Sequence, residues 1–246
     1  MANYKIIFSP TGGTRKCADL LASNLGADWQ EVDVSLPFCD LQLQPEDLCI
    51  VAVPSFGGRV PPLAADRLNS IAGNGAKAIL VCVYGNRAFE DTLVELQDIL
   101  TGNGFACVAA AALLAEHSIM HAFAAGRPDR EDENVIAGFA ASIAEKLDSC
   151  KSCLTIPGNR PYKEYKVAPM IPVTEETCTD CGLCAKLCPG GAIAGREIDP
   201  AKCICCMRCT AVCPIGAKHT DSEKVAGLVA RLKDALSGRK ENELFL

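Results

Sequence analysis

Eight of the sixteen cysteines stand in two runs that share one spacing. Cys178, Cys181, Cys184 and Cys188 read C-x2-C-x2-C-x3-C, with Pro189 next. Cys203, Cys206, Cys209 and Cys213 repeat the run, with Pro214 next. The chemistry that needs this spacing is the holding of two 4Fe-4S clusters by thiolates. Three thiolates spaced by two residues sit on one tight loop and reach three irons of a cubane. The fourth ligand must come from the other run. The expected sets are therefore Cys178, Cys181, Cys184 and Cys213 for one cluster, and Cys203, Cys206, Cys209 and Cys188 for the other. Zinc sites and a disulfide framework are the competing readings. Zinc takes its ligands in two pairs rather than runs of four, and disulfides do not persist in a reducing cytosol.

A second chemical signal lies near the start of the chain. Lys5–Phe8 reads as a short apolar strand of the kind buried in a parallel sheet, and it runs into Ser9-Pro10-Thr11-Gly12-Gly13-Thr14. A helix over Arg15–Leu25 follows, with Ala18, Leu21 and Leu25 at helical spacing. Strand, Gly- and hydroxyl-rich loop and helix N-terminus together make an anion site, because backbone N–H groups and the helix dipole both favour negative charge there. The loop itself holds no Lys or Arg. A phosphate would be held by neutral donors, as suits a phosphate monoester kept as a permanent cofactor. The competing reading is an ordinary helix cap by Thr11 or Thr14. The GK[ST] ending of nucleotide-triphosphate loops and the G-x-G-x-x-G dinucleotide pattern are both missing.

The cysteine runs resemble those of the bacterial two-cluster ferredoxins, over about residues 173–220. Ser9-x-Thr11-Gly12-x-Thr14 resembles the [ST]-x-T-G-x-T phosphate loop of the flavodoxins. That second resemblance implies FMN, with its phosphate on Ser9, Thr11, Gly12, Gly13 and Thr14. It also implies that two further loops lie beside the flavin ring. The first carries Pro54, Ser55, Phe56 and Gly57, and the second Tyr84, Gly85, Asn86 and Arg87. Phe56 either stacks on the ring or packs under its own loop. Tyr84 and Asn86 are candidates for the ring edge, and Arg87 for the placing of positive charge near it. The alternatives are that Tyr84 is a strand-end core residue and that Arg87 pairs with Glu90 or Asp91. Asn86-Arg87 departs from the flavodoxin pattern, which has a bulky stacking aromatic there.

The elements that would position these residues follow from periodicity. Strands at Trp29–Val34, Leu48–Val53, Ala78–Val83 and Phe105–Leu114 alternate with helices at Leu63–Ile71, Thr92–Leu100 and Asn134–Leu147. With the first strand they predict an α/β fold, a doubly wound, five-stranded parallel sheet; the two resemblances imply that this sheet is flavodoxin-like and that a small α+β two-cluster domain follows it. Ligands of such sheets sit at the carboxyl ends of the strands. Glu116-His117-Ser118 falls on that side, where His117 either donates a proton or is structural. The expected divisions are 1–148 for the FMN domain, 149–172 for a linker, 173–220 for the cluster domain and 221–246 for a C-terminal helix and tail. Cys150-x-x-Cys153 falls in the linker and Cys205 lies inside the second cluster loop but outside its spacing. Val225, Leu228, Val229, Leu232 and Leu236 form the apolar stripe of an amphipathic helix, and the tail ends in an apolar tip, Leu244-Phe245-Leu246.

Composition narrows the function. The 246 residues are 49% hydrophobic and carry a net charge of −6, with a mean hydropathy of +0.16. This argues for a well-buried core and against nucleic acid as a ligand, since phosphate neutralisation needs basic patches. Redox partner proteins with a basic docking face are expected instead. The longest apolar run is too short to span a bilayer and no secretory signal is read, so a cytoplasmic protein of an anaerobic cell is expected. The combined reading is an electron-transfer iron–sulfur flavoprotein. The alternatives are a flavin-dependent reductase of a small substrate fed by the clusters, and a ferredoxin whose first domain docks partners without flavin.

Overall fold

The computed structural model describes residues 2–26, 28–38, 40–148, 154–166 and 170–246. In chain order the N-terminal part runs β1 (Asn3–Ile7), α1 (Gly13–Leu25), β2 (Gln30–Asp33), β3 (Leu41–Gln42), β4 (Leu48–Pro54), α2 (Pro62–Leu68), β5 (Ile71–Ala72), β6 (Lys77–Tyr84), α3 (Thr92–Gly102), β7 (Ala106–Leu114) and α4 (Arg130–Asp148). The C-terminal part adds β8 (Val173–Thr174), α5 (Leu183–Lys186), β9 (Ile193–Ala194), β10 (Glu197–Ile198), α6 (Arg208–Ala211), β11 (Lys218–His219), α7 (Ser222–Leu236) and β12 (Glu243–Phe245).

The main sheet has the order β12-β7-β6-β4-β1-β2. The five strands from β2 to β7 are all parallel. Their order reverses beside β1, so the crevice of this doubly wound sheet opens at the carboxyl ends of β1 and β4. Both faces are covered, and the strands alternate between them. Ile50 and Ala52 of β4, and Ile79 and Val81 of β6, pack with Cys17, Ala18 and Leu21 of α1 and Ile136, Ala140 and Ile143 of α4. Cys49, Val51 and Val53, with Leu80 and Cys82, pack instead with Leu68 of α2 and Leu93 and Leu96 of α3. Burial on both faces is why these strands read as unbroken apolar runs.

The tail extends the expected five strands to six. β12 pairs antiparallel with β7, Leu244 against Ala111 and Phe245 against Ala110. It covers a sheet edge whose N–H and C=O groups would otherwise lack partners. Phe245 meets the ring of Phe89 edge-on at 6.3 Å. One helix is shorter than its pattern suggests: α2 ends at Leu68, because buried Ile71 pairs with Leu41 in a separate two-stranded sheet.

Residues 154–166, expected to be a linker without a core, lie packed along α3. Ile156 enters the main core. Buried Asp91 accepts hydrogen bonds from Asn159 N at 2.8 Å and Lys163 N at 2.7 Å. Arg59 forks onto Glu95 with two bonds of 2.7 Å and stacks over the Tyr162 ring at 4.7 Å. Gly158 is required at its position: its φ is 143°, and a Cβ would lie 2.4 Å from Val94 Cγ1. Cys150 and Cys153 lie outside the described residues.

The cluster region is built from two small antiparallel pairs, β8–β11 and β9–β10, and two single helical turns. Both turns start from left-handed residues, Gly182 at φ 73° and Met207 at φ 61°. This part is joined to the sheet by Arg67, which donates to Val34 O at 2.8 Å and to Pro189 O at 2.6 Å.

Candidate functional site

Three cavities hold the candidate residues. The largest, about 610 Å³, sits at the carboxyl ends of β1, β4, β6 and β7. Its size lies in the range of small-molecule and cofactor sites. Thr11, Gly13 and Thr14 line it from the first loop, Pro54, Ser55, Phe56 and Gly57 from the second, and Tyr84, Gly85 and Arg87 from the third. Ten of the thirteen residues proposed for flavin contact are thus brought together.

The first loop leaves α1 well placed for an anion. Gly12 supplies the αL turn into the helix at φ 93°, which a Cβ would strain. Gly13 and Thr14 open the helix, where N–H groups have no intrahelical acceptor. Nearby cations are committed elsewhere: Arg15 pairs with Glu31 and Asp33, each at 3.0 Å, and Lys16 donates to Pro128 O at 2.8 Å. The loop therefore offers neutral donors to the cavity. That donor set fits a phosphate monoester, as the sequence suggests.

Three expected contacts are placed differently. Ser9 is buried away from the cavity, and its Oγ accepts from Arg15 N at 3.0 Å. The N-cap position is Gly12, so neither threonine caps the helix, and Ser9 Oγ satisfies one first-turn N–H from outside it. Gly12 shapes the turn and is not among the lining residues. Asn86 is also off the cavity and buried. Its Nδ2 donates to Leu236 O at 2.6 Å and to Gly238 O at 2.8 Å, which ties down the end of α7. An amide that satisfies two buried carbonyls is not available to a ring edge.

Other loop residues combine both readings. Tyr84 is among the cavity's lining residues, while its OH donates to Glu241 O at 3.3 Å and its ring meets Phe89 edge-on at 5.6 Å. Burial pushes its phenol up to about 12. Arg87 forks onto Glu90 at 2.9 and 2.7 Å and still borders the cavity. That pairing, against the cost of burial, holds the Glu90 carboxyl below its usual range. Arg59 is outside the cavity lining.

His117 also borders the cavity. Its Nδ1 accepts from Ile119 N and Met120 N, both at 3.1 Å. Burial, followed by the positive charge of His121, pushes its pKa down to about 4. A neutral ring that accepts at Nδ1 carries its proton on Nε2, so His117 can offer one N–H donor.

The large cavity is roofed by the C-terminal part. Ile204, Cys205 and Cys206 come from the second cysteine run, and Leu228, Arg231, Leu232 and Leu236 from α7. α7 was recognised in the sequence as amphipathic, but its place over this cavity was not. Its stripe packs with Met120, Met170 and Met207.

The cysteines surround two smaller cavities. The outer one, about 50 Å³, is lined by Cys178, Cys181, Cys184 and Cys213. The inner one, about 20 Å³, is lined by Cys188, Cys203, Cys206 and Cys209. Each cavity draws three thiols from one run and one from the other. Among the described residues no group of His, Cys, Asp or Glu is arranged to hold a single metal ion. Four thiols around a cavity suit the donor chemistry of a cluster, whose irons lie apart from one another. Ile204 and Cys206 border both the inner and the large cavity. The outer cavity is flanked by Leu183 and Ile215, which are 37% and 51% exposed.

Comparison with known proteins finds one family match and several partial likenesses. Residues 171–194, which hold the first cysteine run, match the 4Fe-4S binding domain family. A polyferredoxin-like protein of Methanocaldococcus jannaschii is 33% identical over 60 residues, 24% of this chain and 28% of that relative. The match thus spans little more than a quarter of the relative's length. A flavodoxin of Streptococcus pneumoniae TIGR4 aligns over 60% of this chain and 99% of its own, at 20% identity and a TM-score of 0.42. Flavodoxin 1 of Bacillus cereus aligns over 59% and 98%, at 20% identity and a TM-score of 0.42. No helix among the described residues is long and apolar enough to cross a membrane. The chain carries a 4Fe-4S domain in its C-terminal region, joined to an N-terminal α/β domain with the strand order of the flavodoxins.

Proposed function

We propose that the protein is an electron-transfer iron–sulfur flavoprotein that relays electrons between partner proteins, two 4Fe-4S clusters and FMN. The observation that carries this reading is the shared wall: Ile204 and Cys206 stand between the inner thiol-lined cavity and the large cavity over β1 and β4. A cluster moves one electron at a time and a flavin takes two, so their contact lets one chain join one- and two-electron chemistry.

The proposed ligands are Cys178, Cys181, Cys184 and Cys213 for the outer cluster and Cys188, Cys203, Cys206 and Cys209 for the inner one. Thr11, Gly13 and Thr14 hold the FMN phosphate, and Phe56, Gly57, Gly85 and His117 surround the ring. The second cysteine loop and α7 line the large cavity from the C-terminal part, which supports transfer between cofactors. Electrons enter or leave through the outer cluster, where Cys181 is exposed. The partner presents a basic face to a chain of net charge −6. The proposed FMN domain comprises 1–148 with the packed segment 154–166 and the β12 strand of the tail, and the cluster domain comprises 173–220, in a cytoplasmic protein.

The test is the cofactor content of protein purified without oxygen. About eight iron, eight sulfide and one FMN per chain are expected. Eight iron with neither bound flavin nor uptake of added FMN contradicts the relay.

A further inference from the structure

Arg208 is the one buried side chain among the described residues with polar atoms that find no partner. It precedes the ligand Cys209 at the start of α6, and it lines the inner cavity. Only 9% of it is exposed. Its Nε and Nη1 have no acceptor, and its Nη2 lies 3.9 Å from Asp33 Oδ2. Asp33 is already bound by Arg15 at 3.0 Å. Leaving two guanidinium donors buried and unpaired is costly, so an acceptor belongs in that space.

The outer cavity provides the contrast. Lys218 lines it and is also buried, but its ammonium donates to Thr174 Oγ1 and, at 2.9 Å, to Arg196 O. Its hydrogen bonds are made within the protein. Those of Arg208 Nε and Nη1 are not.

We propose that Arg208 sets the reduction potential of the inner cluster by donating hydrogen bonds and positive charge to its sulfurs. This rests on the cluster reading above. Reduction adds one electron, supplied through the outer cluster by a partner protein, and makes or breaks no bond. The added negative charge is stabilised by a fixed cation and by N–H donors to sulfur, both of which raise the potential. Arg208 thereby draws the electron toward the cluster beside the large cavity. Asp33, 3.9 Å from Nη2, opposes it by neutralising part of its charge.

The test is a redox titration of the anaerobically purified full chain, followed by electron paramagnetic resonance, with iron and sulfide measured on each sample. In Arg208→Gln one couple should fall at least about tenfold in its reduction equilibrium, ~59 mV for one electron, while the other holds. In Asp33→Asn the same couple should move the opposite way. Equal movement of both couples, or no movement with eight iron retained, overturns the role of Arg208. If Arg208→Gln does not load iron, Asp33→Asn decides alone: an unchanged or lowered couple overturns the proposal. Wild-type protein that takes up no iron refutes the cluster reading itself, and this inference with it.

Discussion

Asn86 donates from Nδ2 to the carbonyl of Leu236 at 2.6 Å, so the loop after β6 holds the last turn of the helix that roofs the large cavity. The same amide reaches Gly238 O at 2.8 Å. Further along, Asn242 Oδ1 accepts from Leu114 N at 2.9 Å and its Nδ2 donates to Asp132 at 2.7 Å. The tail is fastened at successive points before it ends as β12. Asn86→Ala leaves two carbonyls without their donor and should cost about 1–3 kcal/mol. Thermal unfolding reads that loss, and proteolysis should cut the α7–tail segment sooner than in the parent protein.

Ser9 and Thr14 should separate by phenotype. Ser9 Oγ accepts the first-turn N–H of Arg15, so Ser9→Ala should lower stability by about 1 kcal/mol, the worth of one hydrogen bond, and leave flavin affinity nearly unchanged. Thr14 lines the cavity, so Thr14→Val should weaken FMN by roughly 2- to 10-fold, the worth of one hydrogen bond. Denaturation and flavin titration of the two variants check this. Equal effects of both on flavin binding would contradict the division.

His117 predicts a pH dependence of folding. Its pKa falls from 6.5 in the unfolded chain to about 4 in the fold. Between those values the unfolded state binds more protons, so stability rises with pH across that window and is lost as pH falls through it. His117→Asn keeps a side-chain acceptor for Ile119 N and Met120 N but does not titrate. Denaturation midpoints between pH 4 and 6.5 should vary less in this variant; an unchanged slope would contradict the assignment.

Cys213 and Cys188 test the crossed cavities. Cys213→Ala should remove the outer cluster and Cys188→Ala the inner one, although each residue belongs to the other cluster's run. Iron content near half the parent value in both is expected. The surviving couple should be the one sensitive to Arg208 only in the Cys213 variant.

Much of this site was legible because its information is local. The cysteine spacing is complete within 36 residues, and the Thr11–Thr14 loop lies directly between a strand and a helix. Ser9 lies off the cavity lining, which the motif does not reveal, because a hydroxyl that satisfies a helix N–H and one that binds an anion occupy the same motif. Asn86 could not be read because its partners, Leu236 and Gly238, lie about 150 residues away. The same distance hid β12, whose short Leu244-Phe245 segment becomes a strand only when β7 offers its open edge. Nothing in the sequence sets Arg208 apart, because its burial and its unpartnered donors arise only from the packing of the fold.

Flavin and clusters are proposed to exchange electrons across Ile204 and Cys206. The direct measurement is rapid mixing of the oxidised full chain with a one-electron protein donor, with cluster and flavin absorbance followed separately. Cluster bleaching should precede flavin reduction, and loss of the inner cluster in Cys188→Ala should slow the flavin phase while the outer cluster still reduces. Flavin reduction at the parent rate in that variant would contradict the account.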